Sequence, residues 1–130
     1  MKTLASIEVI DHKAQRYPTV GDWIEFPNGE LVVRVSDTGN WKYDLLVGIH
    51  ELVEAALCRA RGVEQAEVDA FDMSFEKHRT PEDGEPGDDP RAPYQREHRF
   101  AENIERLVAH ELGVNWQDYD NTIAGLSQCE

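Results

Sequence analysis

The sequence predicts an α+β fold: a small antiparallel N-terminal sheet of about three strands, followed by three to four helices, in a single domain spanning residues 1–130. Two observations carry this. Residues 1–36 contain short runs rich in β-branched and aromatic residues, separated by turn signals. From Trp41 onward the apolar residues recur at helical spacing, between residues suited to cap helices. A chain of 130 residues, 40% of them hydrophobic, has enough apolar material for one core.

The first strand falls within Thr3 to Ile10, where Leu4, Ile7 and Val9 give apolar alternation. Gly21 to Phe26 and Leu31 to Ser36 form the next two, joined by Pro27-Asn28-Gly29-Glu30. Asn-Gly between such runs is a strong hairpin signal, because both residues tolerate positive φ. Pro18 and Pro27 lie at the edges of runs, where a missing N–H does least harm. Asp37-Thr38-Gly39-Asn40 supplies N-cap candidates for a helix over 41–61, with Gly62 as its C′ residue. A second helix covers Glu64 to Lys77, with Val68, Phe71 and Phe75 on one face. Residues 80–93 hold four of the six prolines, two glycines and five acids, and read as a loop. A partner helix spans 94–112, closed by Gly113. Asn115-Trp116 starts a short last helix through Tyr119.

The formal charge is −13, with no cluster of Lys and Arg. Phosphate contacts need such clusters, so no nucleic acid is expected as a partner. No apolar run approaches the ~20 residues of a membrane span, and the N-terminus lacks the apolar region of a signal peptide. Cys58 and Cys129 are far apart and form no CxxC pattern, which fits a reducing cytoplasm, with Cys129 near a frayed end.

The chemistry concentrates in LLVGIHELVEAALC, Leu45 to Cys58. Projected at 100° per residue, Leu45, Ile49, Leu52, Val53 and Ala56 form an apolar stripe, and Val47 and Cys58 lie almost opposite. A helix apolar nearly all round is a buried one, yet His50, Glu51 and Glu54 sit in its middle. Buried charges are paired, neutralised or bound to a metal. His50 and Glu54, at i and i+4, share a side and can hold one ion. A glutamate directly after the first ligand, here Glu51, can act as the base that activates water on that ion, as in the HExxH zinc hydrolases. The motif here is HExxE, and a carboxylate oxygen is an acceptable zinc ligand. The same letters also fit an internal polar network, with Arg59 or Arg99 as a partner.

A metal site needs a further ligand from another element. In the partner helix, Phe100, Ala101, Ile104, Leu107 and Val108 make an apolar stripe, with Glu97 and His98 at its border. His98 is the first choice and Glu97 the second. Two imidazoles and a carboxylate suit zinc with an open position; another divalent metal, including non-haem iron, is also compatible.

On these residues the chain resembles the minimal zincin metallopeptidases of the ImmA/IrrE kind. Their HELxHA compares with His50-Glu-Leu-Val-Glu-Ala55, and their later ExxAxxFA pattern with His98-Arg-Phe-Ala101-Glu-Asn-Ile104-Glu. The likeness covers roughly residues 20–60 and 94–110, with the histidine and carboxylate exchanged at two ligand positions. It implies a zincin-like fold, zinc on His50, Glu54 and His98, Glu51 as general base, and a peptide or protein substrate. The strand Glu30 to Ser36 would offer an edge for that peptide, 37–41 and 80–93 would wall the cleft, and Tyr94 could support an oxyanion. The short acidic chain also looks like phage or prophage proteins. Two rival classes stand beside this one. Glu51/Glu54 and Glu102/Glu105 are two ExxE pairs, as in the Mg²⁺-dependent nucleotide pyrophosphohydrolases of the MazG kind. A non-enzymatic acidic binding protein is the other.

Overall fold

A computed structural model describes residues 1–80 and 82–128; Cys129 lies outside the described residues. The chain is α+β, with strands β1 (Ala5–Ile10), β2 (Gly21–Glu25) and β3 (Leu31–Ser36) followed by helices α1 (Trp41–Arg61), α2 (Gln65–Lys77), α3 (Gln95–Glu111) and α4 (Trp116–Gln128).

The sheet is mixed, not purely antiparallel. Its order is β1-β3-β2, with β1 parallel to β3 (Ala5 opposite Leu31) and β2 antiparallel to it (Trp23 opposite Val33). β3 carries the longest apolar run, and Leu31, Val32, Val33 and Val35 are all buried. It therefore takes the central place, while β1, with exposed Glu8 and Val9, takes an edge. The expectation that β3 offers an edge to a peptide is overturned, because both its sides are paired. β2 is the edge next to α1, and Gln65 occupies part of it: its amide donates to Trp23 O (3.2 Å) and accepts from Glu25 N (2.8 Å).

The hairpin forms where Asn28-Gly29 predicts it, but only Gly29 has positive φ (88°). Gly29 N donates to Phe26 O and Phe26 N to Glu30 O. This is a turn over Pro27 and Asn28 followed by a left-handed glycine, which relieves Asn28 of positive φ. Asn40 caps α1 by accepting from Lys42 N at 3.0 Å, and Gly62 closes it at φ 76°. A capping box between Glu64 and Glu67 starts α2. α4 runs well past Tyr119, because Tyr119, Ile123 and Leu126 continue the apolar spacing onto the core.

Two helix faces depart from the apolar-stripe reading. On α1 the buried side is Val47, His50, Glu54 and Cys58 with Leu46 and Ala55, whereas Ala56 is exposed. On α3 the buried residues are Glu97, His98, Ala101, Glu105 and Ala109, whereas Phe100 and Leu107 are 48% and 65% exposed. Both helices turn their ionisable groups inward, toward each other. Among the described residues no helix is long and apolar enough to cross a membrane.

Candidate metal centre

α1 and α3 bring three ligand-type atoms to one point. His50 Nε2 lies 3.2 Å from Glu54 Oε2, His98 Nδ1 lies 3.1 Å from the same oxygen, and the two ring nitrogens are 3.1 Å apart. All three residues are buried. A triangle of that edge has its corners about 1.8 Å from its centre, slightly inside the ~2.0–2.2 Å reach of zinc to nitrogen and oxygen. The three atoms lie close enough together to be shared by one ion, so the residues fit a divalent metal.

The surroundings fix which way each group points. Glu105 Oε1 lies 2.7 Å from His50 Nδ1, and its other oxygen accepts from the Tyr119 hydroxyl at 2.5 Å. A carboxylate accepts, so His50 Nδ1 donates to it, and Nε2 is the nitrogen that faces the triangle. Glu54 spends its other oxygen accepting from Trp23 Nε1 at 3.1 Å, which leaves Oε2 for the triangle. His98 turns Nε2 toward Asp88 Oδ1 (3.3 Å) and Glu85 Oε2 (3.5 Å), and Nδ1 inward. For His50 and Glu54, outer partners of this kind fix tautomer and orientation in metal sites.

Without a cation in the triangle, its ionisation is strongly displaced. Burial opposes charge at His50, but the Glu105 and Glu54 carboxylates prevail and hold its pKa well above the ordinary value. Burial likewise opposes His98, yet Asp88 and Glu54 raise it to about 10. Glu54 is lowered to about 2, because the two imidazoles outweigh its desolvation. Glu51 moves the other way. Burial first, and then the neighbouring Glu54 charge, push it well above the ordinary range.

Glu51 Oε2 is 3.9 Å from His50 Nε2, beside the triangle. The start of β2 presses on it: a Cβ at Gly21 would sit 2.8 Å from Glu51 Cγ and from Val47. Glu51, the three triangle residues, Glu102 and Glu105 line one cavity of about 100 Å³. Thr19 to Gly21 form part of its wall, and Glu85 to Gly87 another. From the loop expected to wall the cleft, residues 85–87 line this cavity, whereas 37–41 is not part of the lining.

Glu97 is not brought to the triangle. Its carboxylate accepts from Arg61 Nη1 at 2.8 Å. Arg59 binds Glu25 and Gly29 O, away from the cluster. The Tyr94 hydroxyl donates to Asp72, which also accepts from Tyr17 at 3.0 Å, so Tyr94 is not a free oxyanion donor. Burial pushes Asp72 up to about 7, against the pull of these two hydroxyls.

Sequence reasoning missed the outer partners Trp23, Asp88, Glu85 and Tyr119, and assigned Glu105 no part in this site. Glu105 had a signal: it stands seven residues after His98, two turns along the same face. The others come from distant elements and leave no local pattern. Compared with protein-family models, curated proteins and solved structures, the chain matches none.

Proposed function

We propose that this chain is a metal-dependent hydrolase with a zincin-like active site, acting on peptide bonds in the cytoplasm. The observation that carries the reading is the convergence of three buried ligand-type atoms, His50 Nε2, Glu54 Oε2 and His98 Nδ1, within 3.2 Å of one another. In the metal-free chain, protons on the two imidazoles match the Glu54 carboxylate, and a divalent ion that takes the same three atoms releases those protons.

In this reading His50, Glu54 and His98 hold the ion, with zinc preferred for a two-imidazole, one-carboxylate set. When bound, such an ion supplies Lewis acidity, acidifying water and polarising a carbonyl. Glu51 takes the proton from the attacking water on its carboxylate and delivers it to the leaving nitrogen. Glu105, backed by Tyr119, holds the His50 ring in its ligating tautomer, and Trp23 holds the Glu54 carboxylate. Substrate reaches the cavity between 19–21 and 85–87, not by strand addition to β3. The buried free thiol of Cys58, pushed up to about 12 mainly by burial, is unreactive and suits a reducing compartment.

The test is metal analysis of protein purified without a His tag, followed by unfolding with and without added Zn²⁺. A ligand at 100 times its Kd stabilises by about 2.7 kcal/mol. Metal-free protein that gains no stability from zinc, manganese or cobalt removes the site. One observation favours the Mg²⁺-dependent pyrophosphohydrolase alternative: Glu51, Glu54, Glu102 and Glu105 all line the same cavity. Nucleotide hydrolysis with Mg²⁺ and without response to Zn²⁺ would select that reading.

A further inference from the structure

The three-residue triangle uses only one nitrogen of His98. The other, Nε2, is buried and makes no hydrogen bond, although His98 is only 4% exposed. It faces two carboxylates at 3.3 and 3.5 Å, on Asp88 and Glu85, neither aligned as its acceptor. Their side chains are about half exposed, at 52% and 53%, so the outer side of this second cluster is open to water.

The loop is fitted to the ring. Gly87 lies against His98 so closely that a Cβ there would fall 2.3 Å from the imidazole Cγ and Nδ1. Only glycine lets the 3-10 turn Pro86–Asp88 lie on the ring and present carboxylates from both its ends to Nε2. The cavity wall is acidic: Glu54, Glu85 and Glu105 line it, and Arg79, its one Lys or Arg among the described residues, is held by Glu76 at 2.7 Å.

We propose that His98 Nε2, Glu85 and Asp88 form a second divalent-cation site, joined to the first through the His98 ring. It rests on the reading of His50, Glu54 and His98 as a metal site. Binding of the second ion displaces the remaining ring proton to solvent. The imidazolate then offers one lone pair at each nitrogen, so no further reactant is needed. A nitrogen with two carboxylates suits Zn²⁺ or Cu²⁺, which bind imidazole well, over Ca²⁺ or Mg²⁺, which prefer all-oxygen sites. Two ions sharing one ring give the 85–88 loop a reason to be seated on the active site.

The experiment titrates metal-free full-length protein with Zn²⁺, reading stoichiometry by native mass spectrometry, for wild type and an E85A/D88A variant. Both substituted side chains are half exposed, so the variant should keep the fold. The expected result is two ions per chain in wild type and one in the variant. A second readout uses Cu²⁺. Two copper ions bridged by one imidazolate couple magnetically, so the paramagnetic signal of the doubly loaded wild type should fall well below that of two isolated ions. The singly loaded variant should give the full signal of one. One ion in both proteins overturns the second site and leaves the first standing. Two ions in both proteins, with uncoupled signals, assigns the second to surface acids and also overturns it. No ion in either overturns both readings.

Discussion

Glu105 is the partner through which the metal reading is most exposed to test. Its carboxylate lies 2.7 Å from His50 Nδ1, and it receives the Tyr119 hydroxyl on its other oxygen. In Glu105→Gln the amide oxygen can still accept from Nδ1, so the His50 tautomer survives, but the negative charge behind the ring is gone. The imidazole becomes a weaker base and a weaker ligand. Loss of an outer partner of this kind costs about 10–100-fold in metal affinity, or roughly 1.4–2.7 kcal/mol. The amide NH₂ then faces the Tyr119 hydroxyl, whose oxygen accepts from it in place of the charge-assisted bond to the carboxylate. Exchanging a bond to a charged group for a neutral one costs about 1 kcal/mol of fold stability. Tyr119→Phe separates the two effects: it keeps the charge behind His50 and should leave affinity within a few-fold. The assay is competition against a chromophoric zinc chelator, with urea unfolding of the metal-free proteins alongside. If Glu105→Gln binds zinc within twofold of wild type while Glu54→Gln does not, the Glu105 charge behind His50 has no part in metal binding.

Glu51→Gln should keep zinc affinity within a few-fold yet lower peptide hydrolysis by about 10²–10⁴-fold, the usual worth of a general base; full activity in this variant removes Glu51 from the chemistry. His98→Ala should abolish zinc binding. Glu97→Gln, which only weakens the buried contact with Arg61, should leave zinc binding intact while lowering stability by about 1–3 kcal/mol, and equal zinc loss in both would show that the wrong neighbour was chosen. Asp72 has a folded pKa of about 7 against 3.8 when free, so the folded chain holds this proton more tightly and stability falls as pH rises between those values. Relative to Asp72→Asn, wild type should lose about 3 kcal/mol between pH 5 and pH 8; a stability gap that does not change with pH contradicts a protonated Asp72.

The elements were legible because their boundaries are local. Asn40 and Gly62 bound α1, Gly29 turns the hairpin and Glu64 caps α2, and each acts through backbone groups within a few residues. Strand order was not legible, since nothing in Thr3 to Ile10 states that β1 lies parallel to β3 across the sheet from β2. The motif His50-Glu51-x-x-Glu54 was legible because i and i+4 fix a shared side. Its third member could be narrowed only to Glu97 or His98, which are adjacent in sequence and project about 100° apart. What decided between them was Arg61, which takes Glu97 from the end of another helix. The apolar-stripe reading of α1 and α3 failed at the site itself. It assumes that the buried face is the apolar one, whereas here the two helices meet through His50, Glu54, His98 and Glu105. Sequence rules fail most often where function overrides stability.

That failure yields a last prediction. Buried ion pairs seldom repay their desolvation, and replacing them by well-packed apolar groups is often neutral or stabilising by about 1–4 kcal/mol. Removing one partner alone is costly, because the rest of the network is left buried and unmatched. The informative variant therefore replaces the whole network: leucine at 50, 54, 98 and 105, with phenylalanine at 23 and 119 so that neither the Trp23 N–H nor the Tyr119 hydroxyl is stranded. If the network is maintained for a cation, this variant should be at least as stable to urea as metal-free wild type, and should gain nothing from zinc. If the network exists to hold the fold, as in the non-enzymatic reading, the variant should instead be weaker than metal-free wild type by several kcal/mol. Urea unfolding of both proteins in excess chelator decides between the two. The metal reading carries the sharper demand, because it requires a chain that becomes no less stable when its most polar interior is made apolar.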